Sequence, residues 1–89
     1  MLEIEFTQQF EADLQIQVSQ GKDPEPLKEI IEKLEKQLPL PKRCCDSLMI
    51  NSRGRWNCLI SFDWWLIYKC DGEKITFEQT GSTRYLFAD

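Results

Sequence analysis

The side chains best suited to bind phosphate lie in the middle of the chain. Residues 42–55 hold four bases and one acid, Asp46, for a net charge of +3. The bases are Lys42, Arg43, Arg53 and Arg55. Arginine grips phosphate oxygens with a planar fork of donors, so Arg53, Arg55 and the later Arg84 form one candidate phosphate-binding set. The alternative is that these arginines are solvated or contact a partner.

Proton transfer has few candidates, because the chain contains no histidine, the side chain that titrates closest to neutrality. Asp63 is either a site carboxylate or a cap for the turn that enters the next strand. Tyr85 qualifies as a base only if cations lower its pKa from about 10. Trp64 and Trp65 either stack on nucleic-acid bases or belong to the core.

The cysteines have no spacing typical of a metal site. Cys44 and Cys45 are adjacent and no Cys-x-x-Cys pair exists, so a zinc site would need all four cysteines to meet through long-range folding. We therefore expect a reduced cytoplasmic protein without metal or cofactor. In that reading, Cys58 and Cys70 are small core residues on strands.

Length and composition limit the fold and the partners. The 89 residues allow one domain, 1–89, and 42% of them are hydrophobic, enough for a small core. The net charge of −4 argues against strong non-specific binding to nucleic acid. No apolar run approaches the ~18 residues of a membrane span. The acidic N-terminus is unlike a signal peptide.

The first half of the chain is predicted to form a strand and two helices. Residues 2–6 alternate apolar and acidic side chains, which indicates a half-buried strand. Thr7 can cap a helix running to about Gln20, stopped by Gly21. We expect that helix to bury a face carried by Phe10, Leu14 and Val18, widened by Ala12 and Ile16, and to keep its acids solvated.

The second helix has the clearest apolar pattern in the chain. Asp23 to Pro26 form its start, and Pro39 and Pro41 its end. Between them, apolar residues follow helical spacing at Leu27, Ile30, Ile31, Leu34 and Leu38.

Strand patterns dominate the second half. Residues 53–62 alternate around Trp56, Cys58, Ile60 and Phe62, and residues 64–70 are apolar on both faces, as in a central strand. Asp71-Gly72 predicts a hairpin, returning through 74–80 with Ile75 and Phe77 inward. An aromatic tail at 85–87 should dock on the sheet. The fold class is α+β, β-α-α-β-β-β, an antiparallel sheet with two N-terminal helices packed on one face.

Several short strings, in this order, resemble the RelE/ParE toxin superfamily and most closely its YafQ branch. They are Ile4-Glu5-Phe6-Thr7, Gly21-Lys22-Asp23, Leu38-Pro39-Leu40-Pro41, Asp63-Trp64, Leu66-Ile67-Tyr68-Lys69, Thr80-Gly81-Ser82 and Leu86-Phe87. The resemblance covers essentially the whole chain. It implies the toxin of a type II toxin–antitoxin pair that cuts mRNA in the ribosome without a metal, with a cognate antitoxin as partner. Asp63, Trp64 and Phe87 match the family's site pattern.

The chain departs from the family's site pattern at the residues that would transfer protons and bind phosphate. Ser47, Leu59 and Thr83 stand where the family carries histidines, and Gln79 stands where it carries an arginine. None of these side chains can transfer a proton at neutral pH or hold phosphate by charge. We therefore expect a weak or inactive nuclease.

Three functions stay open. A residual endoribonuclease would use Asp63, Tyr85 and Arg55 for catalysis and Arg53, Arg84, Trp64 and Phe87 to bind RNA. A catalytically dead module of this fold would only bind a protein partner. A ParE-like inhibitor would block another target, such as gyrase, by binding alone.

Overall fold

Three helices and five strands make up the fold in a computed structural model, which describes residues 2–40, 47–48, 54–61 and 63–87, with 47, 48 and 87 described by their backbone only. Their order is β1 (Glu3–Phe6), α1 (Gln8–Ser19), α2 (Glu25–Glu35), β2 (Ser47–Leu48), β3 (Arg55–Ser61), β4 (Trp64–Cys70), β5 (Lys74–Gly81) and α3 (Thr83–Phe87). The predicted α+β class is confirmed. The short β2 and α3 add to the predicted order.

The sheet is mixed, which corrects the antiparallel prediction. Its strand order is β1-β5-β4-β3-β2, so β4 is central, as its apolar sequence predicted. β1 pairs with β5 in parallel, while the other neighbours are antiparallel. The alternating side chains of β1 predict a strand and its buried face. They do not predict which strand pairs with β1, because the chain passes through both helices before it reaches β5.

Helix α1 begins and ends where the sequence predicts but buries a different face. The Thr7 side chain accepts a hydrogen bond from the Phe10 amide at 3.0 Å, and Gly21 follows the helix with φ of 91°. The buried residues of α1 are Phe10, Asp13 and Gln17. Val18 and Ile16, predicted for the core, are 44% and 49% exposed. The correction arises because polar atoms elsewhere in the fold satisfy Asp13.

Helix α2 buries the predicted Leu27 and Ile30 but is shorter than its apolar pattern. Gln37 adopts a left-handed φ of 57°, and the Leu38 amide donates to the Lys33 carbonyl at 2.8 Å. This is the hydrogen bond of a Schellman motif, which ends a helix before any proline is reached. Leu38 is consequently exposed.

The core lies between the helices and one face of the sheet. It includes the side chains of Phe10, Leu27, Ile30, Cys58, Ile60, Trp64, Leu66, Tyr68, Ile75 and Phe77. Phe6 extends it at the edge, because its ring stacks on both Phe10 and Phe77 at centroid distances of 5.4 Å. Cys58 is buried as predicted. Cys70 is exposed at the end of β4, which corrects its placement in the core. Cys44 and Cys45 lie outside the described residues.

The aromatic tail forms the helix α3, which contacts the ends of β4 and β5. The Ser82 hydroxyl accepts a hydrogen bond from the Tyr85 amide at 3.2 Å, so Ser82 caps the helix. Gly81 allows the close approach, because a Cβ there would lie 2.6 Å from the Tyr85 ring. Across the described segments, no helix is long and apolar enough to cross a membrane.

Candidate functional site

Asp63 joins the β3–β4 turn to the start of α3. Its backbone has a left-handed φ of 50°, a conformation that aspartate tolerates better than most residues. Its carboxylate accepts a hydrogen bond from the Thr83 amide at 3.0 Å. Hydrogen bonds from the Thr83 side chain and backbone hold the pKa of Asp63 below its usual value. The charged Asp63 carboxylate therefore holds the start of α3 through Thr83. It joins two segments that are distant in the sequence rather than capping only the turn that enters β4.

Thr83 is the centre of a small hydrogen-bonded group. Besides its contacts with Asp63, its hydroxyl accepts a hydrogen bond from the Trp65 indole nitrogen at 2.8 Å. Trp65 is half-buried and lies opposite Leu59 on the neighbouring strand. Thr83 is therefore bonded to both Asp63 and Trp65, and Leu59 lies beside Trp65 on the neighbouring strand.

Tyr85 reaches the α1 side of the sheet rather than a cationic group. Its hydroxyl donates to an oxygen of Asp13 at 2.7 Å, and the Gln9 amide donates to the same hydroxyl at 3.2 Å. The hydrogen bond to Asp13, with partial burial and the Asp13 charge, raises the pKa of Tyr85 above its usual value. The phenol therefore keeps its proton at neutral pH, which is unfavourable for a general base.

Asp13 is the buried centre that the sequence did not identify. It is 1% exposed, and its carboxylate also accepts hydrogen bonds from the Gln9 side chain at 2.8 Å and the Thr80 amide at 3.2 Å. Its predicted place on a solvated acidic face is wrong. The only available sequence signal is the Gln9–Asp13 spacing of four, which occurs on many exposed helices.

Trp64 is a core residue, which corrects its predicted place on the RNA-binding surface. Its side chain is fully buried, and its indole nitrogen donates to the Thr80 hydroxyl at 2.8 Å. That hydroxyl in turn donates to the Trp65 carbonyl at 2.7 Å. A base cannot stack on a ring that is covered on both faces by the core.

Arg55 lies on the sheet face away from the helices. Its neighbour Trp56 pairs with the buried Tyr68, so side-chain alternation directs Arg55 to the opposite face. The guanidinium forms an ion pair there with Glu78. Arg55 and Tyr85 are therefore on different sides of the sheet. Arg84 is exposed on α3, whereas Arg53 and the Phe87 side chain lie outside the described residues.

Leu59 and Gln79, two positions that depart from the resemblance pattern, lie on this sheet face away from the helices, the far face. Ser47, Asn57, Ile67 and Gln79 form one row across four strands. Leu59, Trp65 and Gly81 form a neighbouring row, to which Thr83 is joined by its bond with Trp65. The fold thus brings Leu59, Gln79 and Thr83 to the surface that carries Arg55, and the backbone of Ser47 lies at the β2 end of the first row.

A cleft of about 290 Å³ opens on the other side, between α1 and α3. Its lining consists of Asp13, Ile16, Gln17, Gln20, Lys22, Asp63, Thr80, Ser82 and Tyr85. Within the described segments, no three cysteine, aspartate or glutamate side chains are arranged to hold a metal ion.

Comparison with known proteins identifies relatives over almost the whole length. The profile of the bacterial YafQ toxins of type II toxin–antitoxin systems matches residues 2–88. An mRNA interferase toxin YafQ from Escherichia coli strain B/BL21-DE3 is 33% identical over 87 residues, covering 96% of this chain and 95% of that protein.

Solved structures agree with the sequence match. YafQ in a crystal structure of the E. coli DinJ–YafQ complex superimposes with a TM-score of 0.91 at 31% identity, covering 99% of this chain and all of the other. A metal-bound toxin from Helicobacter pylori has a TM-score of 0.91 at 27% identity, covering 98% of this chain and all of the other.

Proposed function

Because the chain belongs to the YafQ family of bacterial toxins from type II toxin–antitoxin systems, we propose that it is the toxin component of such a pair. Its partner is a cognate antitoxin protein, as the complex of the E. coli relative with DinJ supports. Its location is the cytoplasm, where the ribosome and mRNA are its proposed targets.

The proposed activity on RNA is weak or absent, and the far face of the sheet carries this proposal. Cleavage without a metal needs a group that removes the proton of a ribose 2′-hydroxyl and another that protonates the departing oxygen. The chain has no imidazole for either task. Ser47, Leu59, Gln79 and Thr83 stand where the resemblance leads us to expect the histidines and the arginine.

The remaining candidates support the same proposal. Asp63 has a lowered pKa because Thr83 stabilises its charge, so it is a weak base. Tyr85 has a raised pKa because Asp13 accepts its proton in a hydrogen bond. Arg55 could stabilise a charged phosphorane, but Glu78 competes for its guanidinium. Arg84 is exposed and could contribute a phosphate contact, as could Arg53 if it reaches the same surface. Phe87 stays a proposed RNA-binding residue.

Inducible expression with mapping of transcript ends tests the activity. We expect the wild-type chain to cut ribosome-bound mRNA slowly or not at all, and co-expression of the antitoxin to suppress any growth arrest. Arrest without cleavage would favour an inhibitor that acts by binding. Brisk cleavage by the purified wild-type chain on ribosomes would contradict the proposal.

Restoring the missing groups sharpens this test. Thr83→His combined with Gln79→Arg should raise cleavage by roughly 100-fold, the lower range for general acid–base catalysis. The matched control is Thr83→Gln combined with Gln79→Leu, which changes the same positions without an imidazole or cation. Equal cleavage by both variants would show that these positions do not form the nuclease surface.

A further inference from the structure

We infer that the cleft between α1 and α3 is a binding site for a single nucleobase carrying an exocyclic amino group. This surface is distinct from the far face of the sheet discussed above, because it lies on the side covered by α1. The residues that carry the inference are Gln17, Asp63, Lys22, Ile16 and Tyr85.

The amide of Gln17 is the first observation. Gln17 is only 7% exposed, lines the cleft, and has no side-chain hydrogen bond with any residue in the described parts of the chain. Because no described residue has a fully buried side-chain nitrogen or oxygen without a partner, the Gln17 amide reaches the open space of the cleft, where a ligand can bind it in place of solvent. It presents a donor and an acceptor side by side, which matches the edge of a nucleobase.

The charges around the cleft select the ligand further. Asp13 and Asp63 contribute two carboxylates against the single ammonium of Lys22. This balance disfavours a phosphate inside the cleft. It favours a neutral group with hydrogen-bond donors, and the Asp63 carboxylate has acceptor positions beyond those used by the Thr83 amide and hydroxyl. The Gln17 amide can turn to fit either an amino or an oxo edge, so the acceptor positions of the Asp63 carboxylate decide for the amino group.

The walls and the size of the cleft fit a flat ring. Ile16 supplies an apolar wall, and Tyr85, 52% exposed, supplies an aromatic one. The Tyr85 ring is held in place by its bond to Asp13 and its contact with Gly81. A volume of about 290 Å³ lies at the lower limit for small-ligand sites. Aromatic walls stack on bases of any sequence.

The choice of a nucleobase over a peptide amide rests on the proposed function, which brings RNA to this protein. The base could come from an RNA strand or from a free nucleotide. Both sources share the ring and its amino edge, and they differ in how the affinity responds to neighbouring nucleotides.

Nuclear magnetic resonance titration of the full-length, isotope-labelled chain tests the site. Cytidine and uridine differ mainly in an amino or oxo group, as do adenosine and inosine. We expect cytidine and adenosine to shift the Gln17 side-chain amide signals and to bind about fivefold or more tightly than uridine and inosine. Equal binding of the amino and oxo partners, or no shift of the Gln17 amide, would overturn the inference. An alanyl-glutamine dipeptide that bound as tightly as cytidine would do the same.

Substitutions provide a second measurement. Gln17→Leu should weaken cytidine binding about tenfold, whereas Gln15→Leu, on the exposed side of the same helix, should leave it unchanged. A cytidine trinucleotide that binds more tightly through the same amide assigns the base to RNA, and equal affinity assigns it to a free nucleotide. Toxicity without nucleoside binding would contradict only this site. Nucleoside binding together with brisk cleavage of ribosome-bound mRNA would contradict only the proposed function.

Discussion

Helices α1 and α2 pack on the same face of the sheet but bury opposite chemistries. α2 places the apolar Leu27 and Ile30 in the core, as its sequence pattern requires. α1 buries Asp13 and Gln17, which line the cleft, together with the core residue Phe10, and leaves Val18 exposed. The helix that departs from its apolar pattern is the one that borders the cleft. We conclude that α2 is held by apolar burial, whereas α1 exchanges part of that burial for a polar site.

The largest effect should come from α2. Ile30→Ala removes a fully buried side chain and leaves a cavity, so we expect the free energy of unfolding to fall by about 3–4 kcal/mol. Urea denaturation measures it, with Lys28→Ala on the exposed side of α2 as the control. A loss below ~1 kcal/mol would show that α2 does not depend on apolar packing.

Asp13→Ala should give the next largest loss, from the polar side of the comparison. The substitution leaves the buried Thr80 amide without its acceptor and frees the Tyr85 hydroxyl, so we expect a loss of about 2 kcal/mol. Denaturation of Asp13→Ala, Tyr85→Phe and the double variant should show non-additive losses. Strict additivity would mean that the two side chains do not act together.

The Tyr85–Asp13 bond also predicts a pH dependence. Since the folded state raises the pKa of Tyr85, that state keeps the phenol proton where the unfolded chain loses it. The stabilisation is fully present below the unfolded pKa of about 10 and is lost as the pH rises through the folded pKa. Stability measured from pH 8 to 11 should therefore fall more steeply for the wild type than for Tyr85→Phe. Parallel curves would show that Tyr85 titrates alike in both states.

The smallest effect should come from the apolar face that the sequence predicted for α1. Val18→Gln replaces a solvent-exposed residue, so we expect the free energy of unfolding to change by less than about 0.5 kcal/mol. Thermal unfolding of the wild type and Val18→Gln in parallel checks this. A loss above ~1.5 kcal/mol would place Val18 in the core after all and remove the contrast between the helices.

Much of the fold follows from local patterns in the sequence. Thr7 caps α1 by a bond within one turn, and Asp71 closes the hairpin by accepting from the Lys74 amide at 2.8 Å. Ile75 and Phe77 face the core because side chains alternate along a strand. In each of these cases the cause and its effect lie within a few residues, so the sequence contains both.

The sequence also determined the chemistry that is missing. A chain without histidine cannot place an imidazole anywhere, whatever its fold. The strings shared with YafQ toxins indicated the family before any contact was known, and the profile match confirms it.

Only the tertiary structure decided which polar groups meet. Asp13 and Tyr85 are 72 positions apart, and Arg55 and Glu78 are 23 apart, on strands with β4 between them. Whether a carboxylate is buried or solvated depends on the donors that reach it from such distances, because burial is favourable only when its hydrogen bonds are replaced. The spacing of apolar residues in the sequence contains no information about those donors. The buried face of α1 and its cleft are therefore decided only by the packing of the whole chain.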